Sequence, residues 1–196
     1  MERVVEKALK YIEGKINAKK SKTIFKLAIS GGKTPQPLLQ ALSFSNNIDW
    51  SYIEIFMTDE RLLPHNHIDS NYRFLYENLI KNVGARAFHY IDDMGSYSLL
   101  LKDSFDLIVL GMGEDGHIAS IFPDPEYEIY SNNGLAVKTK SFSYPYYRVS
   151  ISMEVINSAK DIILFIKGKK KLDVLKNKKG LPIDKVSDFE LFSDSV

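Results

Sequence analysis

The 196-residue chain contains no cysteine. That excludes a disulfide framework, a thiolate nucleophile and a zinc–thiolate site. Charge of one sign is missing as well. Lys and Arg number 26 against 25 Asp and Glu, a formal net charge of +1, so no strong general field for nucleic acid or a membrane surface is implied. Long apolar runs are absent: stretches such as Ile162 to Ile166 are far too short to span a bilayer. The charged, amphipathic segment Met1 to Lys20 lacks the apolar core of a signal peptide. No internal repeat or low-complexity tract is visible. What is present is a hydrophobic fraction of 44%, enough for one domain over residues 1–196 that buries roughly 70% of its unfolded surface. A soluble cytoplasmic protein is expected, without a nucleic-acid or membrane partner, as a monomer or weak homo-oligomer.

Val4, Val5, Ala8, Leu9, Ile12 and Ile16 recur at helical spacing and predict a first amphipathic helix. Strands are predicted at Thr23 to Ile29, Ile53 to Met57 and Phe105 to Leu110, with a helix over Asn71 to Ile80. Further strands fall at Leu135 to Val137, Tyr147 to Ile151 and Ile162 to Ile166. Helical pieces at Met153 to Ala159 and Lys169 to Leu175 flank the last of these, and Phe189 to Phe192 can close the sheet. Strands alternating with helices argue for an α/β fold, a three-layer α/β/α domain with a mostly parallel sheet.

In such sheets ligands bind beyond the carboxyl ends of the strands. The chemistry-capable residues cluster there. After the Phe105 strand comes Gly111-Met-Gly-Glu-Asp-Gly-His117, which presents an acid, Asp115, and a base, His117. Gly111, Gly113 and Gly116 satisfy G-x-G-x-x-G, but a dinucleotide site needs a helix to follow. Pro123 and Pro125 oppose one, and Glu114 and Asp115 would repel a phosphate. His117 is a candidate general base, since imidazole titrates near neutrality.

Ser30-Gly-Gly-Lys-Thr-Pro35 follows the first strand. Its paired glycines permit close approach of a ligand, with Thr34 as cap and Pro35 as first residue of the next helix. It is not a Walker A loop, because that motif's first glycine would fall at Leu27. Asp59-Glu60-Arg61 follows the second strand. As a structural ion pair it would be unremarkable; at a strand end, Asp59 could orient a histidine or water and Arg61 could bind an anion or developing oxyanion. Arg148 and Lys171 could converge on a dianionic phosphate. The rest of the basic cluster (Lys167, Lys169, Lys170, Lys176, Lys178, Lys179) reads as a solvated helix face. His65 and His67 form H-x-H without a third ligand of clear spacing and read as loop residues, and His89 as structural.

Taken in order, these segments resemble the 6-phosphogluconolactonase family. Ser30-Gly-Gly-Lys-Thr-Pro35 is similar to its S-G-G-x-T-P turn. Asp59-Glu-Arg-Leu-Leu-Pro64 with His67 and Ser70-Asn71 is similar to D-E-R-x-V-P-x-x-H-x-x-S-N. Gly111 to Pro123 is similar to G-M-G-x-D-G-H-T-A-S-L-F-P, and Arg148-Val-Ser, Gly168-Lys-Lys-Lys171 and Leu181-Pro182 to R-V-T, G-x-x-K and a late L-P. The resemblance implies the fold of the sugar-phosphate isomerases and deaminases. It implies hydrolysis of 6-phosphoglucono-1,5-lactone in the pentose phosphate pathway, with no metal and no cofactor. By matching position, His117 would activate water and Asp115 would orient that site, with Asp59 beside them. Ser30, Gly31 and Gly32 would line the pocket, and Arg61, Arg148 and Lys171 would hold the phosphate or the oxyanion. Ile118 stands where the family has threonine, and the Val83 to Ser104 stretch is compressed, with room for only a brief helix.

Two rivals remain. Glucosamine-6-phosphate deaminases resemble the glycine turn and the D-G-H-I-A element, but continue N-E-P, where this chain has Ile121-Phe122-Pro123, and carry tyrosine in place of Arg61. A non-catalytic sugar-phosphate sensor would keep phosphate anchors without needing an acid, a base and a cation together.

Overall fold

The computed structural model describes residues 1–19 and 23–195; Lys20 and Val196, within the sequence expectations above, lie outside them. In chain order the elements are α1 (Glu2–Ala18), β1 (Phe25–Ile29), α2 (Gln36–Ser43), β2 (Ile53–Met57), β3 (Asp59–Arg61), α3 (Asn71–Asn78), β4 (Ala87–His89) and α4 (Met94–Leu100). They continue with β5 (Leu107–Leu110), β6 (Pro125–Tyr130), β7 (Ala136–Ser141), β8 (Arg148–Ile151), α5 (Met153–Asn157), β9 (Ile162–Ile166), α6 (Lys169–Lys176) and β10 (Glu190–Ser193).

The apolar runs become the centre. β5 and β9 are buried along their whole length, as strands covered on both faces must be. They belong to a six-stranded sheet of order β10-β9-β5-β1-β2-β4, and all of its pairings are parallel. The chain starts at β1, moves one way to β2 and β4, then returns past β1 to β5, β9 and β10. The order therefore reverses between β1 and β5, and a crevice opens outside their carboxyl ends. α1, α2 and α3 pack side by side. Tyr97 of α4 is buried and donates to the Met57 carbonyl at the end of β2.

A second, four-stranded sheet of order β3-β8-β7-β6 is antiparallel throughout. β7 and β8 fall on the expected strands Leu135 to Val137 and Tyr147 to Ile151, while β3 and β6 are strands that the sequence reading does not include. The chain passes from β2 to β3 through one residue, Thr58, whose N–H donates to Ile29 of the first sheet and whose carbonyl accepts from Ile151 of the second. The two sheets thus share a corner at the crevice.

α2 also corrects an expectation. It begins at Gln36, Pro35 occupies the cap position without a side-chain capping bond, and Pro37 is the proline inside the first turn. Thr34 does not cap; its hydroxyl accepts from Lys171 Nζ at 3.3 Å. The compressed stretch holds β4 and the short helix α4.

Candidate active site

A cleft of about 360 Å³ lies at the carboxyl edge of the parallel sheet. The turn after β1 contributes Ser30 to Pro35, β3 contributes Asp59 and Arg61, the loop after β5 contributes Gly111 to Glu114 and His117, β8 contributes Arg148, and α6 contributes Lys171. All the expected site residues line it except Asp115, which stands behind His117 with Oδ1 2.5 Å from Nδ1.

The loop after β5 is shaped to present that pair. Gly113 N–H donates to the His117 carbonyl and Gly116 N–H to the Gly113 carbonyl, and Asp115 also accepts from His117 N–H at 3.2 Å. A Cβ on Gly113 would collide with the His117 and Asp115 side chains. Gly116 has φ +82°, a region that favours glycine. No helix follows: the next element is β6, so the G-x-G-x-x-G spacing serves the histidine loop and not a pyrophosphate. Burial would raise the Asp115 carboxyl, but its bond to His117 outweighs this and holds it below the usual aspartate range.

Asp59 does not hold the histidine. It accepts from Ser120 Oγ at 2.6 Å and Thr58 Oγ1 at 3.1 Å, and Thr58 Oγ1 lies 2.8 Å from Ser30 Oγ. This buried chain ties together the loops after β1, β2 and β5. It also turns Ser120, which is fully buried, away from any nucleophilic role. Glu60 is likewise structural. Its carboxylate accepts from the N–H groups of Arg61, Asn71 and Tyr72 and from Ser70 Oγ, which anchors the start of α3. Burial pushes its carboxyl up against the pull of these four donors.

The cations are arranged differently. Arg61 and Arg148 are direct partners in the β3–β8 register, a placement that is destabilising for like charges. Nε of each is buried and meets no acceptor among the described residues. Burial lowers the Arg148 pKa, partly offset by Asp59. Burial also lowers Lys171, against the pull of Glu114 and Asp115. Two opposed guanidiniums with spare donors, beside a desolvated ammonium, suit a multiply charged anion.

The turn after β1 shows why both glycines are needed. A Cβ on Gly31 would come 2.5 Å from Asn71 Oδ1, and Gly32 has φ +103°. Asn71 and Tyr144 line the cleft although neither stood among the expected site residues. Asn71 lay within a quoted motif; Tyr144 carried no sequence signal beyond its aromatic neighbours. His65 and His67 are drawn to different rings, His65 stacking on Tyr72 and His67 meeting Tyr146 edge-on. His89 stacks on Phe56 and contacts Glu54.

The comparisons with known proteins agree with this architecture. The family described as "Glucosamine-6-phosphate isomerases/6-phosphogluconolactonase" matches residues 1–188. The chain belongs to this family. Among its relatives, a 6-phosphogluconolactonase of Neisseria meningitidis serogroup A is 35% identical over 162 residues, 74% of this chain and 70% of that protein. The GDH/6PGL endoplasmic bifunctional protein of Oryctolagus cuniculus is 32% identical over 171 residues, 76% of this chain but 21% of the relative, so the chain spans about a fifth of its length. The crystal structure of a 6-phosphogluconolactonase from Shewanella baltica superposes with a TM-score of 0.86 at 27% identity, covering 98% of this chain and 93% of that one. The Phe122 ring lies 5.0 Å from the His117 ring.

Proposed function

We propose that this chain hydrolyses 6-phospho-D-glucono-1,5-lactone to 6-phosphogluconate, as one 6-phosphogluconolactonase-like domain, with water activated by His117. The observation that carries this reading is the meeting, in one cleft, of a histidine held by a carboxylate and two arginines whose buried Nε atoms meet no acceptor among the described residues. The names of the Neisseria and Shewanella relatives support it.

The chemistry follows from the geometry. Nδ1–H donates to Asp115, which leaves Nε2 as the acceptor. Nε2 takes a proton from water as its oxygen attacks the lactone carbonyl carbon. The resulting tetrahedral oxyanion needs a nearby cation or N–H, and Lys171, which lines the same cleft as His117, takes that role in this reading. Collapse breaks the ring C–O bond, and the proton returns from Nε2 to the departing ring oxygen. Arg61 and Arg148 take the phosphate dianion. General-base catalysis contributes about 10²–10⁴-fold, which suits an activated ester that already hydrolyses slowly unaided.

Acid release from freshly prepared lactone tests the proposal: a rate no faster than the uncatalysed one refutes it. Ammonia release from glucosamine 6-phosphate would instead favour the deaminase branch, which the apolar ring of Phe122 beside His117 disfavours. A cytoplasmic setting and a monomer or weak homo-oligomer belong to the same proposal, to be read by cell fractionation and light scattering.

A further inference from the structure

Arg148 is 6% exposed and makes no ion pair among the described residues. A guanidinium in such a place ordinarily takes a carboxylate. Here its Cζ lies 5.4 Å from the centre of the Phe122 ring and 5.6 Å from that of Tyr144, within cation–π range of both. The two rings stack on one another, 5.6 Å apart at 23°. They also flank the imidazole of His117, Phe122 at 5.0 Å and Tyr144 edge-on at 5.1 Å. Asp115 holds Nδ1 at one edge of the ring, and the two aromatic rings meet it on further sides. One aromatic pair therefore touches both the buried cation and the base.

Tyr144 is itself held. It lies in the segment between β7 and β8, two residues before Tyr146, whose φ of +77° is uncommon for a bulky side chain. The Tyr146 hydroxyl donates to Asp69 Oδ2 at 3.2 Å, and the Asp69 carbonyl accepts from Arg61 Nη1 at 2.5 Å. The segment that carries Tyr144 is thus latched to the residue that anchors Arg61.

We propose that Phe122 and Tyr144 are positioning residues: their ring faces hold the Arg148 guanidinium, which has no direct ion-pair partner among the described residues, and their contacts with His117 fix the plane of its ring. Arg148 then keeps its donors for the anionic substrate, and the distance from anion holder to base is set by one rigid pair. The inference rests on the hydrolase reading above and deepens it.

The test uses Tyr144→Leu and Tyr144→Phe in the full chain, with two readouts: acid release from freshly prepared lactone, and calorimetric titration with inorganic phosphate. Removing a cation–π face should weaken phosphate binding about ten-fold, raise KM by a similar factor and lower kcat about ten-fold. Tyr144→Phe, which keeps the face, should recover each to within about two-fold of wild type. Unchanged phosphate affinity and unchanged kcat in Tyr144→Leu overturn the inference. So does a Tyr144→Phe variant as impaired as Tyr144→Leu, which would assign the role to the phenol hydroxyl. Should Tyr144→Leu fail to fold, Phe122→Met is judged by the same readouts. If the wild-type protein does not hydrolyse the lactone, the hydrolase reading fails by itself, and the phosphate titration still decides the aromatic pair.

Discussion

The two ends of the parallel sheet treat charge in opposite ways. At the amino end, acids are matched. Asp106, just before β5, accepts from Lys160 at 2.8 Å, Lys19 at 2.6 Å and the Lys26 N–H at 2.8 Å, and Asp161, just before β9, pairs with Lys15. At the carboxyl end, Arg61 and Arg148 face each other across β3 and β8 with buried Nε atoms that meet no acceptor among the described residues. The first arrangement stabilises the fold. The second sets like charges side by side, an arrangement that suits an anion. The difference supports the proposed placement of function at the carboxyl end.

Four substitutions break or sharpen that contrast. The largest effect is expected at the carboxyl end, in His117→Ala: kcat/KM should fall about 10²–10⁴-fold, the scale of a lost general base. Steady-state acid release measures it, and intact activity would remove His117 from the mechanism. Arg148→Met should lower kcat/KM about 10²–10³-fold if its donors meet substrate charge in the transition state. Because it removes a buried cation with no direct ion-pair partner among the described residues, set opposite Arg61, its unfolding midpoint should stay level or rise; thermal melts without ligand decide this, and a clear fall would mean that Arg148 is structurally paired.

Lys171→Ala is expected to act on KM if the ammonium contributes uniform binding and on kcat if it meets the oxyanion. The oxyanion role proposed for it predicts the second, with a loss of about ten-fold or more. A change confined to KM would move Lys171 to the phosphate. The smallest effect on activity belongs to the amino end. Asp106→Asn should leave kcat unchanged and cost about 2 kcal/mol of stability, the range for a charge-assisted bonding site. Burial opposes ionisation of Asp106, but Lys160, Lys19 and the Lys26 N–H outweigh it, so its folded pKa is lowered. Its contribution is therefore complete above the ordinary aspartate range, near about 4, and is lost as pH falls through the lowered folded value. Urea titrations of both proteins at pH 7 and pH 3 should show the gap between them close in acid.

Much of this was legible in the residues. β2 and β9 match the predicted strands Ile53 to Met57 and Ile162 to Ile166 in full; β9 is continuously apolar, as a strand buried on both faces must be, and β2 departs from that only at Glu54. The loop from Gly111 to His117 declared itself because only glycine tolerates its close contacts. The second sheet did not. β6 alternates only briefly, Glu126-Tyr127-Glu128-Ile129, behind Pro123 and Pro125, which weigh against a strand, and five of its six residues are exposed. β3 is the charged triplet Asp59-Glu60-Arg61, buried by hydrogen bonds from Ser70, Asn71, Tyr72 and Ser120 that lie far off in sequence. The same non-locality explains Asp59, which has the composition of a histidine's partner but is claimed by Ser120, while Asp115, two residues away from His117, takes that place. Tyr144 became visible only when β7 and β8 brought its loop over the cleft.

The most direct test is a crystal structure of the protein with 6-phosphogluconate, the product. The account predicts the ligand's C1 carboxylate within hydrogen-bonding distance of His117 Nε2, and an anionic oxygen of the ligand accepting from Arg148 Nε. A ligand seated with its C1 carboxylate away from His117, or with Arg148 Nε still lacking an acceptor, would contradict it.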